Sequence, residues 1–96
     1  MYCNKLFKGL IKMKHFDFSG QTVIITGAAG ALGSTTAELF FRAGANIALV
    51  DINFAKLTHP RWKHAKNVGQ FETDLTDVNS VNNSVANIID RFGQID

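Results

Sequence analysis

The stretch "TGAAGALG", residues 26 to 33, constrains this chain more than any other segment. It follows the apolar, β-branched run from Thr22 to Thr26 and precedes "STTAELFFRAGA", so a strand must give way to a helix across Gly27, Gly30 and Gly33. Each glycine has a physical use there. Gly27 lets the chain leave the strand in a conformation that a Cβ resists, Gly30 lets a ligand approach the backbone, and Gly33 lets the helix lie close on the sheet. A helix that starts this way aims unpaired N–H groups and the positive end of its dipole at one point, which suits a pyrophosphate.

The rest of the sequence reads as the scaffold for such a turn. Thr22 to Thr26 has the continuous apolar pattern of a strand buried on both faces, the kind from which parallel sheets are built. Leu32, Thr36, Leu39, Phe40 and Ala43 fall on one helical face, and Gly44 stands where a left-handed helix stop belongs. "NIALV", residues 46 to 50, predicts a second strand and completes a βαβ unit. In "INFAKLTHPRWKHAK" Pro60 interrupts weak helical spacing, predicting a short helix and a long loop. "VGQFETD" predicts a third strand at a sheet edge. Asp77 can then cap a helix whose apolar stripe is Val78, Val81, Val85, Ile88, Ile89 and Phe92, with Gly93 as its stop. "QID" resembles the approach to a fourth strand. The expected fold class is α/β, an incomplete Rossmann-type parallel sheet of about three strands with crossover helices, over residues 16–96.

Composition limits what else the chain can be. Ninety-six residues, 46% hydrophobic and 19% charged, describe one soluble globular unit. A single cysteine, Cys3, excludes an internal disulfide and suggests a reducing, cytoplasmic setting. No apolar run approaches the roughly 20 residues that span a bilayer, and no secretory signal is visible. Residues 1–15 form a basic extension holding Lys5, Lys8, Lys12 and Lys14; with these four taken from the overall +2, the remainder carries a net −2. A general nucleic-acid surface is therefore not expected. Lys56, Arg61, Lys63 and Lys66 with Trp62 read as a solvated loop, and His15, His59 and His64 form no metal-ligand set.

Asp51, 18 residues beyond Gly33, ends the second strand. A carboxylate there can accept hydrogen bonds from both hydroxyls of an adenosine ribose and would repel a 2′-phosphate, so NAD is expected over NADP. With these residues in place, "FSGQTVIITGAAGALGSTTAELFFRAGANIALVDIN", followed by "TDLTD" and "RFGQID", resembles the short-chain dehydrogenases/reductases. The resemblance implies that Gly27, Gly30 and Gly33 form the cofactor turn. It also implies that Leu32 lies against the cofactor, that Asp51 binds the adenosine ribose, and that Asp74 and Leu75 border the adenine.

Two departures accompany the likeness. The commonest branch of the family has T-G-x-x-x-G-x-G, whereas here Ala31 takes the place of the middle glycine and Gly30 comes one residue earlier, a spacing usual in the extended branch. The family's catalytic serine and Y-x-x-x-K pair follow a segment like "RFGQID"; the only tyrosine here is Tyr2, and no residue of this sequence is assigned a catalytic role. The sequence thus predicts the NAD-binding portion of an oxidoreductase. A non-catalytic nucleotide-binding module and a Rossmann-like methyltransferase fragment are the other readings. Without a fourth strand, the strand at 22–26 would keep an open edge, and self-association through it is expected.

Overall fold

The structure, a computed structural model, describes residues 17–58 and 60–96. The expectations for the basic extension, residues 1–15, and for His59 lie outside the described residues. Three strands, β1 (Thr22–Thr26), β2 (Asn46–Asp51) and β3 (Val68–Glu72), form one parallel sheet in the order β1-β2-β3. Thr22 to Thr26 lie opposite Asn46 to Val50, and Ile47 to Asp51 lie opposite Val68 to Glu72. Helix α1 (Ala31–Arg42) carries the chain from β1 to β2, a short helix α2 (Phe54–Leu57) and a 3-10 turn (Pro60–Trp62) lead to β3, and α3 (Val78–Phe92) follows.

Alternation along the strands sends side chains to two different cores. Ile25, Ile47, Leu49 and Val68 pack with Ala37, Leu57 and Trp62, and Phe40 and Phe41 of α1 lie against the same cluster. On the other face Ala48, Val50 and Ile88 form a smaller cluster, with Ile24, Phe71 and Phe92 around it. Helices thus cover both faces, and β2, whose residues Ile47 to Val50 are all buried, is the strand enclosed on both sides. The expectation of full burial for β1 is corrected: Val23 and Ile24 are only half-buried. β1 pairs with β2 along one edge, and at its other edge Thr22 meets the end of the final segment at Asp96. There the Asp96 N–H donates to the Thr22 carbonyl (3.0 Å), and the Thr22 N–H donates to Asp96 Oδ2 (2.8 Å).

Helix α1 stops as its glycine predicts. Gly44 has φ +91°, and the N–H groups of Gly44 and Ala45 donate to Phe41 and Phe40 (3.1 Å each), the paired closure that satisfies the last carbonyls of a helix. The packed face of α1 differs from the expected one, because Leu32 is 81% exposed while Ala37 is fully buried. The loop after α2 is corrected as well. Trp62 is buried, its ring edge-on to Phe41 at 5.3 Å. The Arg61 guanidinium lies 4.7 Å from the Trp62 ring centre and pairs with Glu38. A proline-broken, basic sequence conceals this anchor, since only the approach of α1 supplies Phe41 and Glu38.

Helix α3 begins at Asp77, whose Oδ1 accepts from the Asn79 N–H (2.9 Å), and ends at Gly93 with φ +84°. Its stripe is narrower than expected. Ile88 is buried, Val81, Val85 and Phe92 are half-buried, and Ser84 joins them; Val78 and Ile89 are 73% and 46% exposed. At 3.6 residues per turn those two sit about a quarter-turn round from Ile88, past the part of the helix that faces the sheet. Ile88→Ala should therefore cost about 2–5 kcal/mol, whereas Val78→Ala should stay within roughly 0.5 kcal/mol. Urea unfolding of the two variants checks the assignment, and equal losses would contradict it.

Candidate functional site

Parallel strands end on one edge of their sheet, so the glycine turn after β1, Asp51 at the end of β2 and Asp74 just beyond β3 are brought to the same edge. Gly27 has φ +63°, the left-handed region that a Cβ disfavours. The N–H of Ala28 continues the ladder to the Val50 carbonyl (3.2 Å), and the Gly30 N–H closes the turn on the Gly27 carbonyl (3.0 Å). A Cβ on Gly33 would come within 2.9 Å of Ala28 Cα and would also meet the Gly27 carbonyl oxygen, so glycine here is required by the approach of the helix to the turn itself.

Gly30 is different. A Cβ there would stand 3.4 Å from the Gly27 oxygen, an ordinary contact. The protein's own packing does not demand glycine at this position, and the space it leaves opens outward. Gly30 is also the N-cap of α1 and supplies no side-chain hydrogen bond. The first-turn N–H groups of Ala31, Leu32 and Gly33 have no intrahelical acceptor, and α1 has no acidic residue in that turn. An anion fits this place by charge, by donors and by room. Leu32, highly exposed, stands beside it.

Asp51 is tied to the same turn. Its Oδ2 accepts from the Ala29 N–H and its Oδ1 from the Asn53 N–H, each at 3.0 Å. The bonds from Asn53 and then Ala29 stabilise the charged form and hold the carboxyl below the ordinary aspartate value. Asp74 accepts from the side chain and backbone of Thr76 (2.6 and 2.9 Å), and its carboxyl is lowered by these bonds in that order. The two hydroxyls of Thr73 and Ser84 bond each other in the interior, and the Asp74 N–H donates to Ser80 Oγ (2.9 Å). "TDLTD" is therefore a hydrogen-bonded turn that joins β3 to α3. Leu75 is 58% exposed on it.

The structure brings Gly27, Gly30 and Asp51 into one hydrogen-bonded unit with Gly33 packed closely against it, and sets Asp74 and Leu75 on the same sheet edge. Sequence reasoning passed over Ile52, an apolar residue 65% exposed next to Asp51. Its signal was its place directly after the acidic strand end, read there only as the start of a loop. A groove lined by Trp62, Lys63, Gln70 and Arg91 lies by the start of β3, at the other end of the strand from Asp74. No three His, Cys, Asp or Glu side chains among the described residues are grouped to hold a metal. Among the same residues no helix is long and apolar enough to cross a membrane.

The family model described as short chain dehydrogenase matches residues 21–96. The chain is 35% identical over 77 residues to sorbitol dehydrogenase of Cereibacter sphaeroides, covering 80% of this chain and 30% of that protein. A crystal structure of a short-chain glucose/ribitol dehydrogenase from Brucella melitensis superposes with a TM-score of 0.78 at 31% identity, over 84% of this chain and 35% of that one. An oxidoreductase from Haemophilus influenza with bound NAD gives a TM-score of 0.74 at 28% identity, over 86% of this chain and 31% of that one. The chain thus spans about a third of the length of the proteins it matches. A nicotinamide dinucleotide is the cofactor class this comparison supports.

The lowered carboxyls link folding to pH. Asp51 and Asp74 remain charged in the folded chain at pH values where the unfolded chain, with ordinary values of about 3.9, already takes up protons. Their contribution to stability is complete above that value and is lost as pH falls through the lower folded values. Urea midpoints should be level from pH 7 to about pH 5 and fall below about pH 4. Carboxyl ¹³C titration should place both residues below the ordinary range, and ordinary values would refute the assignment.

Proposed function

The chain belongs to the short-chain dehydrogenase family, and on that premise we propose that its sheet edge binds the adenosine diphosphate portion of NAD. The observation that carries the proposal is the uncapped N-terminus of α1 joined directly to Asp51 through the Ala29 N–H. The first-turn N–H groups and the helix dipole receive the pyrophosphate, Gly30 gives it room, and Leu32 lies against it. The Asp51 oxygens accept from the Ala29 and Asn53 N–H groups, and a carboxylate keeps further acceptor capacity for a ribose hydroxyl. The same negative charge disfavours a 2′-phosphate, which gives the preference for NAD. Asp74 offers an acceptor to the exocyclic amine of adenine, while Ile52 and Leu75 supply apolar surface for the ring.

In a longer protein containing this portion, the reaction is hydride transfer between the nicotinamide and a carbonyl or alcohol substrate. Family membership favours this reading over an S-adenosylmethionine site on a similar turn. Calorimetric titration should give NAD binding at least about tenfold tighter than NADP, a difference of about 1.4 kcal/mol. Equal or tighter NADP binding would overturn the assigned role of Asp51. Gly30→Ala should keep its melting temperature, because the new Cβ meets only the Gly27 oxygen, and should lose NAD affinity; unchanged affinity would remove the pyrophosphate from this turn.

Among the described residues, the edge of β1 beyond Thr22 also has no strand paired to it and is a template for another strand. We infer that the 96-residue chain self-associates through this edge. Sedimentation should show assemblies that a soluble peptide matching an added parallel strand disperses, and a monomer at all concentrations would refute it.

A further inference from the structure

The glycine turn has three N–H groups between Gly27 and the helix, and all three are already engaged. Ala28 donates to the Val50 carbonyl and Gly30 to the Gly27 carbonyl, acceptors that come with the ladder and the turn themselves. Ala29, half-buried, donates to the Asp51 side chain at 3.0 Å. This is the one tie among the three that a side chain supplies, and it crosses from the end of β2 to the backbone that launches α1. If the turn's own N–H groups are occupied, the donors left for an anion are those of Ala31, Leu32 and Gly33, and their aim depends on how the turn is held.

We propose that Asp51 is a positioning residue for phosphate: through the Ala29 N–H it fixes the glycine turn so that the first-turn donors of α1 converge on the pyrophosphate. The inference rests on the nucleotide-site reading above and adds to it a role that needs no ribose. Two effects of the carboxylate on an anion then oppose each other. Its charge repels the anion, while its hydrogen bond orders the groups that bind it.

Two neutral variants separate them. Asp51→Asn removes the charge and keeps a carbonyl oxygen for Ala29; the Asn53 N–H, on an exposed residue, can turn to water. Asp51→Ala removes both charge and acceptor. Inorganic pyrophosphate, which has no ribose, is the probe, followed by the backbone amide shifts of Ala31, Leu32 and Gly33 in the 96-residue chain. Asp51→Asn should bind pyrophosphate at least as tightly as the parent. Asp51→Ala should bind about fivefold more weakly than Asp51→Asn, the equivalent of one net hydrogen bond. Equal affinity of the two variants, with the parent binding both pyrophosphate and NAD, overturns this inference alone. A parent that binds neither ligand overturns the nucleotide-site reading and this inference with it. Should Asp51→Ala not fold, hydrogen exchange of the Ala29 amide in the parent decides the matter. Exchange should stay slow or become slower when pyrophosphate binds, and faster exchange would mean that binding breaks the tie to Asp51.

Discussion

The contact on which the rest depends is the backbone-to-backbone approach at Gly33, where α1 lies so close to the turn that a Cβ would meet Ala28 Cα at 2.9 Å. That approach sets the height of the helix above the sheet. Ala37, fully buried, and the rings of Phe40 and Phe41 can then reach the cluster of Ile25, Ile47 and Leu49. It also sets the direction of the helix start. A helix lifted by one methyl group would lose packing along its length and would no longer aim its first N–H groups along the edge where β2 ends.

Around this contact, short polar side chains do the work of fixing turns. Asp17 accepts from the side chain and backbone of Ser19 where the chain enters β1, and Asp51 spans from β2 to the glycine turn. Asp74 closes its own turn on Thr76, and Asp77 caps α3. Each of these carboxylates meets donors that would otherwise face water or remain unpaired, and a charge-assisted bond is roughly twice as strong as a neutral one. Two of the four lie on the edge assigned to the nucleotide. On the proposed nucleotide reading, the groups there that order the backbone are also those offered to the ligand, which couples stability to binding.

The family relation fits this division of labour. The chain spans about 30% of the sorbitol dehydrogenase it matches, and its described residues form a sheet edge with the uncapped start of α1, the Asp51 carboxylate and exposed apolar side chains. Binding the adenosine half of a dinucleotide needs only backbone donors, one well-held carboxylate and exposed apolar side chains, all of which a three-stranded sheet with its flanking helices can present.

Much of this was legible in the linear chain. Glycine at 27, 30 and 33 between an apolar run and a helical pattern specifies strand, turn and helix, because backbone conformation and helix capping are local. The caps at Asp77 and Gly93 and the stop at Gly44 were readable for the same reason, and so was the acid that ends β2. Tertiary structure alone decided which apolar residues are inside. Leu32, Val78 and Ile89 fit the helical periodicity and are exposed, while Trp62 sits in a basic, proline-broken stretch and is buried. Periodicity shows that a helix has an apolar side but not how wide a surface waits to cover it, and a loop residue becomes core only when another element arrives with a partner. The bond from Ala29 to Asp51 belongs to that second class. It joins residues 22 apart in sequence that become neighbours only because parallel pairing of β1 and β2 brings their ends to one edge.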